Sequence, residues 1–364
     1  MRELRQLTLN LGRILCRFAS PTLSLSLSLY ASPFLSLSTY RGHSIFDTTN
    51  LLGGYGWGFD AHLDRFMRSA TIARIDIARL PIFEGDTCAA NLADADTTEE
   101  AIASMVRARI RELALEIIGF SGVRDGEIRF WMSSGIGSFN VVPYDCVEPS
   151  LYMMVMTRDT QKPKREPQKP LRLITTSVPM KPNPYCVVKS TNYLQNCHGQ
   201  MDAHDHNADL GIFTYTGACG STFISEGPTC NVAFIDTSGV LIIPSFERAL
   251  RGVTLLRTME LVKRKVAAGA FTHITDVCEK EVKLDDVKTM MAADGPGGVF
   301  TECMIVSSGS FATPVTHWDG IDISFRGKKV DGHYGPGAAE LRKALIEDME
   351  PESDFMAGPI AYDD

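Results

Sequence analysis

The chain has 364 residues, 44% of them hydrophobic and 22% charged, and carries a formal net charge of −8. That length suffices for roughly two domains with real cores, and the mildly acidic balance argues against nucleic-acid binding as its main business. The nine cysteines are scattered, odd in number and without a CxxC pair; they read as reduced thiols of an intracellular compartment, not a disulfide framework.

The first forty residues differ from the rest. After Glu3 no acidic residue appears until Asp47, while Arg2, Arg5, Arg13 and Arg17 punctuate an apolar pattern of leucines, Ile14 and Phe18. A Ser/Leu tract, TLSLSLSLYASPFLSLS, follows. Such a composition is that of an organellar transit peptide, addressed to a plastid or a mitochondrion. The alternatives are a translated non-coding stretch or a serine-rich disordered arm, which would leave the protein cytoplasmic. Serines interrupt the tract, and no run of ~18 apolar residues offers a membrane span.

Residues 41–157 read as a small α/β domain. RGHSIFDTTNLLGGYGWGF predicts two strands joined at Gly53-Gly54. Asp60 is expected to cap a helix, AHLDRFMRSATIARI, that buries Leu63, Phe66, Met67 and Ala70. Arg65 lies off that stripe and reads as a solvated helix arginine. A capping box at Thr97-Thr98-Glu99-Glu100 opens a second helix to about Phe120, with Ile102, Met105, Val106, Ile110, Leu113 and Ile117 inward. Two strands follow, EIRFWMSSG and LYMMVMTR. The Pro-rich, charged stretch at 158–170 is the expected linker, with a second, larger domain at 171–364 and a cofactor cleft between the two.

In the second domain RLITTSVP and YCVVK read as strands, the latter ending on Lys189. An amine leaving a strand end for a cleft loses solvation, which lowers its pKa and frees its lone pair for a carbonyl; lysines at strand ends are also common without any such role. The stretch CHGQMDAHDHNAD invites a metal reading. His204 and His206 lie two apart, on different faces of a helix, and no distal ligands match them, so a solvated helix face is expected and no metal. Glu226, just past a strand in SEGPTCN, is either simple turn chemistry or a carboxylate that keeps a cofactor ring nitrogen protonated. Gly252 before Val253-Thr254 opens a helix with Leu256, Met259, Leu261 and Val262 inward, and its first N–H groups and the Thr254 hydroxyl suit an anion. A second small-residue loop, Val306-Ser307-Ser308-Gly309-Ser310, follows the apolar strand ECMIV.

Lysine, glutamate and two anion loops in this order carry a resemblance. From Arg41 to GPGAAELRKALIEDM, about nine-tenths of its length, the chain resembles the class IV pyridoxal-phosphate-dependent aminotransferases, most of all the D-amino-acid aminotransferase-like branch of plants and algae. The matching stretches are RGHSIFDT, the HLDR motif with its flanks, VKSTNYL, SEGPTCNVAF, LRGVTLLR and SSGSFATPV. The resemblance implies the two-domain α/β (α+β) fold of that family, pyridoxal 5′-phosphate as cofactor, a homodimer, and an amino acid and a 2-oxo acid as small-molecule partners. It makes Lys189 the lysine that holds the cofactor and Glu226 the partner of its ring nitrogen. Tyr193 becomes the donor to the phenolate oxygen, and Arg65 the grip on the phosphate in place of a solvated arginine. Val253, Thr254 and Ser308 supply further phosphate ligands.

Two departures stand out. The presequence-like tract occupies the place of the family's first hairpin, so the small domain either lacks strands or uses the SLSLSL tract for one. A few extra residues also surround TYTGACGST. Phe139-Asn140-Val141 stands where the bacterial D-amino-acid enzymes place an Arg-x-His carboxylate trap, and Ser190-Thr191 replaces the glycine pair of the branched-chain enzymes. The expected reaction is transfer of an amino group between a small D-amino acid and a 2-oxo acid. Aminodeoxychorismate lyase or branched-chain aminotransferase activity is the alternative, and a non-catalytic relic of the fold is the alternative of another class.

Overall fold

The computed structural model describes residues 16–19, 41–84, 87–94, 96–135, 137, 140–146, 148–159, 169–291, 299–323 and 335–362. The SLSLSL tract, most of the expected linker and Phe139 lie outside the described residues. The described residues divide into two units. One takes those of Met1–Gln161, Val188–Asn192 and Asp354–Asp364; the other takes those of Lys162–Val187 and Tyr193–Ser353.

The first unit is built on a six-stranded sheet in the order Cys16–Ala19, Ser150–Thr157, Gly126–Ser133, Ser44–Leu52, Tyr55–Trp57, Met356–Ala357. Cys16–Ala19 runs parallel to its neighbour; every other pairing is antiparallel. The Gly53-Gly54 turn forms as expected, both glycines at positive φ (58° and 90°), the geometry that matches a tight hairpin to strand twist. Alternation along Ser44–Leu52 sends Ile45, Asp47, Thr49 and Leu51 inward. Against that face lie the helices Phe59–Ile72 and Glu99–Ser121, with Leu63, Phe66 and Ile110 in the core. Phe66 meets Phe130 edge to face, centroids 4.9 Å apart. Thr98 caps the second helix, accepting from the Ala101 N–H.

The cap of the first helix is a correction. Gly58, at φ 65°, takes that position, and a Cβ there would sit 2.5 Å from Phe355 Cε1. Asp60 therefore falls inside the first turn, where its carboxylate accepts from Arg107 and Arg111 of Glu99–Ser121.

A second correction concerns YCVVK, which forms no strand. Tyr185–Val187 is a 3-10 turn, because Pro182 and Pro184 lack the N–H a ladder needs and their carbonyls accept from Cys186 and Val187 instead. Past that turn, Val188–Asn192 joins the first unit. The Lys189 carbonyl accepts from the Phe46 N–H at 3.0 Å, and the Thr191 N–H donates to Ser44 O at 2.9 Å, alongside strand Ser44–Leu52.

The second unit centres on a mixed sheet in the order Asp276–Glu279, Val240–Ile243, Asn231–Asp236, Phe300–Ser307, Phe311–Trp318, Leu171–Thr175, Leu210–Ile212. Helix Val253–Ala267 connects the parallel pair Val240–Ile243 and Asp276–Glu279, and helix Leu194–Asp205 connects the parallel pair Leu171–Thr175 and Leu210–Ile212. The whole is a mixed α/β fold. No helix among the described residues is long and apolar enough to cross a membrane.

Candidate active site

In the first unit, one helix face and one strand converge on Lys189. Its backbone N–H donates to Ser69 Oγ at 3.3 Å, and its ammonium lies 4.7 Å from the centre of the Phe46 ring. Ser69, Arg65 and His62 follow at helical spacing on Phe59–Ile72 and so share a face. Arg65 is not solvated. It is 8% exposed and clamps Asp47, Nε to Oδ2 at 2.8 Å and one terminal nitrogen to Oδ1 at 2.6 Å. His62, 1% exposed, binds the same Oδ1 through Nδ1 at 2.8 Å, and its Nε2 is buried with no hydrogen-bond partner among the described residues. Burial alone would raise the Asp47 carboxyl; Arg65 and His62 outweigh it and hold that group far below the usual carboxylate range. For His62, burial pushes the pKa down, Asp47 pulls it up, and Arg65 and Lys189 push it down again, leaving it below its ordinary value.

In the second unit, Glu226 follows strand Thr222–Ile224 and is almost fully buried. Its Oε2 accepts from the Leu250 N–H at 3.0 Å and from Asn231 Nδ2 at 3.4 Å, and Asn231 also donates to Leu250 O at 3.0 Å. Asn231 thus ties the carboxylate to the loop before helix Val253–Ala267. That loop requires a glycine, since a Cβ on Gly252 would meet Asn231 Oδ1 at 2.1 Å. The helix has no side-chain cap on its opening N–H groups. Val253 and Thr254 are buried in its first turn, and the Thr254 hydroxyl lies 2.9 Å from that of Ser308, in the turn between Phe300–Ser307 and Phe311–Trp318. Tyr193 precedes helix Leu194–Asp205, and its ring faces the Lys181 ammonium at 4.8 Å. Burial pushes the pKa of Lys181 down, against the pull of Glu226.

The expected residues therefore divide by unit: Lys189 and Arg65 in the first, Tyr193, Glu226, Val253, Thr254 and Ser308 in the second. Asp47, His62, Asn231 and Lys181 escaped the sequence reading. Asp47 had left a signal, an acid in an inward slot of an alternating strand. Of Phe139-Asn140-Val141, Asn140 offers its carbonyl to Arg41 Nε at 2.7 Å and Val141 is 82% exposed. His206 turns its Nδ1 back to Asp202 at the end of its own helix.

Within the second unit, the two paired hydroxyls at the start of helix Val253–Ala267 suit an anion such as a phosphate. The model of the amino-transferase class IV family matches residues 44–318. The chain belongs to the class IV aminotransferases. These are pyridoxal-phosphate enzymes. The present class IV aminotransferase is 33% identical over 312 residues to the chloroplastic D-amino-acid transaminase of Arabidopsis thaliana, covering 85% of this chain and 69% of that one. In structure it resembles the branched-chain amino acid aminotransferase of Escherichia coli, with a TM-score of 0.64, 19% identity and coverage of 89% and 92%. It also resembles the branched-chain amino acid aminotransferase of Thermobaculum terrenum in its PLP-bound holo-form, with a TM-score of 0.61, 15% identity and coverage of 89% and 88%. At such identity these likenesses speak for the fold.

Proposed function

We propose that this class IV aminotransferase holds pyridoxal phosphate on Lys189 and moves an amino group between a small D-amino acid and a 2-oxo acid. The observation that carries the cofactor assignment is the Thr254–Ser308 hydroxyl pair at the start of Val253–Ala267, with the buried Glu226 bonded to Leu250 in the loop before that helix. When bound, the cofactor supplies an electron sink for charge developing at the substrate Cα. Glu226 accepts the ring N–H and keeps it in place. The Tyr193 hydroxyl donates to the phenolate oxygen, and Arg65, the Val253 and Thr254 region and Ser308 fix the phosphate. The amine of Lys189 carries the proton to and from the substrate Cα. What supports the D-amino-acid reading is the identity to the Arabidopsis enzyme together with the lack of the branched-chain glycine pair at Ser190-Thr191. We place the protein in a plastid or mitochondrion as a homodimer, with a small domain at 41–157, a linker at 158–170 and a cofactor domain at 171–364.

Borohydride reduction of the loaded enzyme followed by peptide mapping is expected to label Lys189, and Lys189→Ala to lose both the visible absorbance and turnover. Labelling of Lys181 would overturn the assignment. Coupled assays should favour D-alanine over L-leucine; preference for L-leucine, or release of 4-aminobenzoate from aminodeoxychorismate, would move the chain to another branch.

A further inference from the structure

Lys181 stands over Tyr193 and in the field of Glu226, yet the proposed chemistry gives it no task. All three belong to the second unit. Lys181 lies between strand Leu171–Thr175 and the turn Tyr185–Val187, in a segment tied down on both sides. Before it, the Pro179 carbonyl accepts from Gln195 Nε2 of helix Leu194–Asp205 at 3.4 Å. After it, Asn183 Nδ2 at 3.2 Å and the Cys186 thiol at 3.7 Å both donate to the Glu247 carbonyl. From this anchored stretch the side chain reaches the face of the Tyr193 ring, with Nζ 4.8 Å from its centre.

That ammonium is half-buried, and among the described residues it makes no hydrogen bond and no ion pair. The titratable groups that act on it are Glu226 from the turn after Thr222–Ile224, Cys186 from the 3-10 turn and Cys197 from helix Leu194–Asp205. Burial pushes its pKa down; Glu226 pulls it up, ahead of the two thiols. A partly desolvated cation needs compensation, and the electron-rich face of an aromatic ring supplies some of it. The attraction works in both directions. A positive charge above a phenol favours negative charge on that ring and its oxygen, so the hydroxyl becomes a stronger donor, above all to an oxygen that is itself charged. The ring is held at the start of helix Leu194–Asp205, where the Tyr193 carbonyl accepts from the Cys197 N–H at 2.9 Å.

We propose that Lys181 is a positioning residue for Tyr193: its ammonium seats the ring and strengthens the hydroxyl as a donor to the charged ring oxygen of the cofactor. Lys181 needs no contact with the cofactor in this role, and no covalent bond forms or breaks. The inference rests on the reading of Tyr193 as the donor to that oxygen.

The test uses the full chain freed of cofactor and titrated calorimetrically with pyridoxamine phosphate, which carries the same ring oxygen and no aldehyde for an amine to attack. Lys181→Met keeps the stem and removes the charge. It is measured alone and together with Tyr193→Phe, which keeps the ring and removes the hydroxyl. The expected result is an affinity loss of about fivefold from Lys181→Met when Tyr193 is present, and close to none when Tyr193→Phe is already in place. Lys181→Arg keeps the cation and should bind within about twofold of the unmodified chain. If Tyr193→Phe alone binds as well as the unmodified chain, the reading of Tyr193 falls and takes this proposal with it. If Tyr193→Phe binds weakly and Lys181→Met does not, Tyr193 keeps its role and the proposal is wrong. An equal loss in both backgrounds would mean that Lys181 attracts the ligand directly or only supports the fold, and overturns the proposal too. So does a loss in Lys181→Arg as large as that in Lys181→Met. Should Lys181→Met fail to fold, Lys181→Gln takes its place in the same cycle.

Discussion

Asp47 draws Arg65 and His62 into a closed network, and this gives the free protein a pH dependence whose sign can be worked out. The folded-state pKa of His62 lies below its unfolded value of about 6.5. Between those two values the unfolded chain holds a proton that the folded one does not, so stability rises with pH and is lost as pH falls through that window, by at most ~1.4 kcal/mol per pH unit. Asp47, also depressed, contributes stability above about pH 3.9 that disappears in stronger acid. Urea midpoints of the cofactor-free chain should therefore drop from pH 7 to pH 5.5, and His62→Gln should flatten that slope; an identical slope in the variant would show that His62 titrates as it does in the unfolded chain. Arg65 illustrates what periodicity can and cannot read. Leu63, Phe66, Met67 and Ala70 are buried as the apolar stripe requires, but Arg65 is buried beside them because its counter-charge stands on another element 18 residues earlier. A helical wheel sees spacing along one helix and nothing of the strand it faces.

Among the elements, the hairpin at Gly53-Gly54 and the capped helix Glu99–Ser121 were legible because their signals are local: turn glycines, a cap and a regular stripe. YCVVK was misread because apolar content alone does not separate a strand from a buried turn, and the two prolines before it decided the matter. In Val253–Ala267 the expected stripe was also off by part of a turn. Arg257 and Thr258 are buried, whereas Leu256 and Met259 are only partly so. The reason lies at the end of helix Pro336–Glu347, where Asp348 receives Arg257 in a two-pronged pair, 2.9 and 2.6 Å, both side chains nearly sealed. Removing one partner breaks a buried charge pair. Arg257→Met is expected to cost about 3–5 kcal/mol in urea unfolding, and adding Asp348→Leu to recover much of it. If the double variant were no more stable than the single one, lost packing and not the broken pair would be the cause.

For the molecule as a whole, the α/β character was legible in the sequence, but not that Lys189 would be carried by the first unit. Unit membership depends on pairings far apart in the chain, which no local pattern encodes. The same holds at the other edge of that sheet. Cys16–Ala19, inside the stretch read as a presequence, pairs with Ser150–Thr157 from Cys16↔Met153 to Ala19↔Met156. A chain starting at Arg41 would leave that strand, SLYMMVMT, as a bare apolar edge. It should keep its circular-dichroism spectrum but form larger particles by light scattering than a chain starting before Cys16, and equal monodispersity of the two would show the pairing to be dispensable. The crossings at Val188–Asn192 and Asp354–Asp364 have a consequence for inheritance. A single genetic crossover in the 158–170 stretch, joining halves of two related genes, would not exchange intact units. It would set one parent's Ser44–Leu52 against the other's Lys189 segment, and one parent's Tyr55–Trp57 against the other's Met356–Ala357. Mismatches would then fall inside a single sheet, so the lysine and the strand it lies along are bound to diverge as partners, although more than a hundred residues of chain separate them.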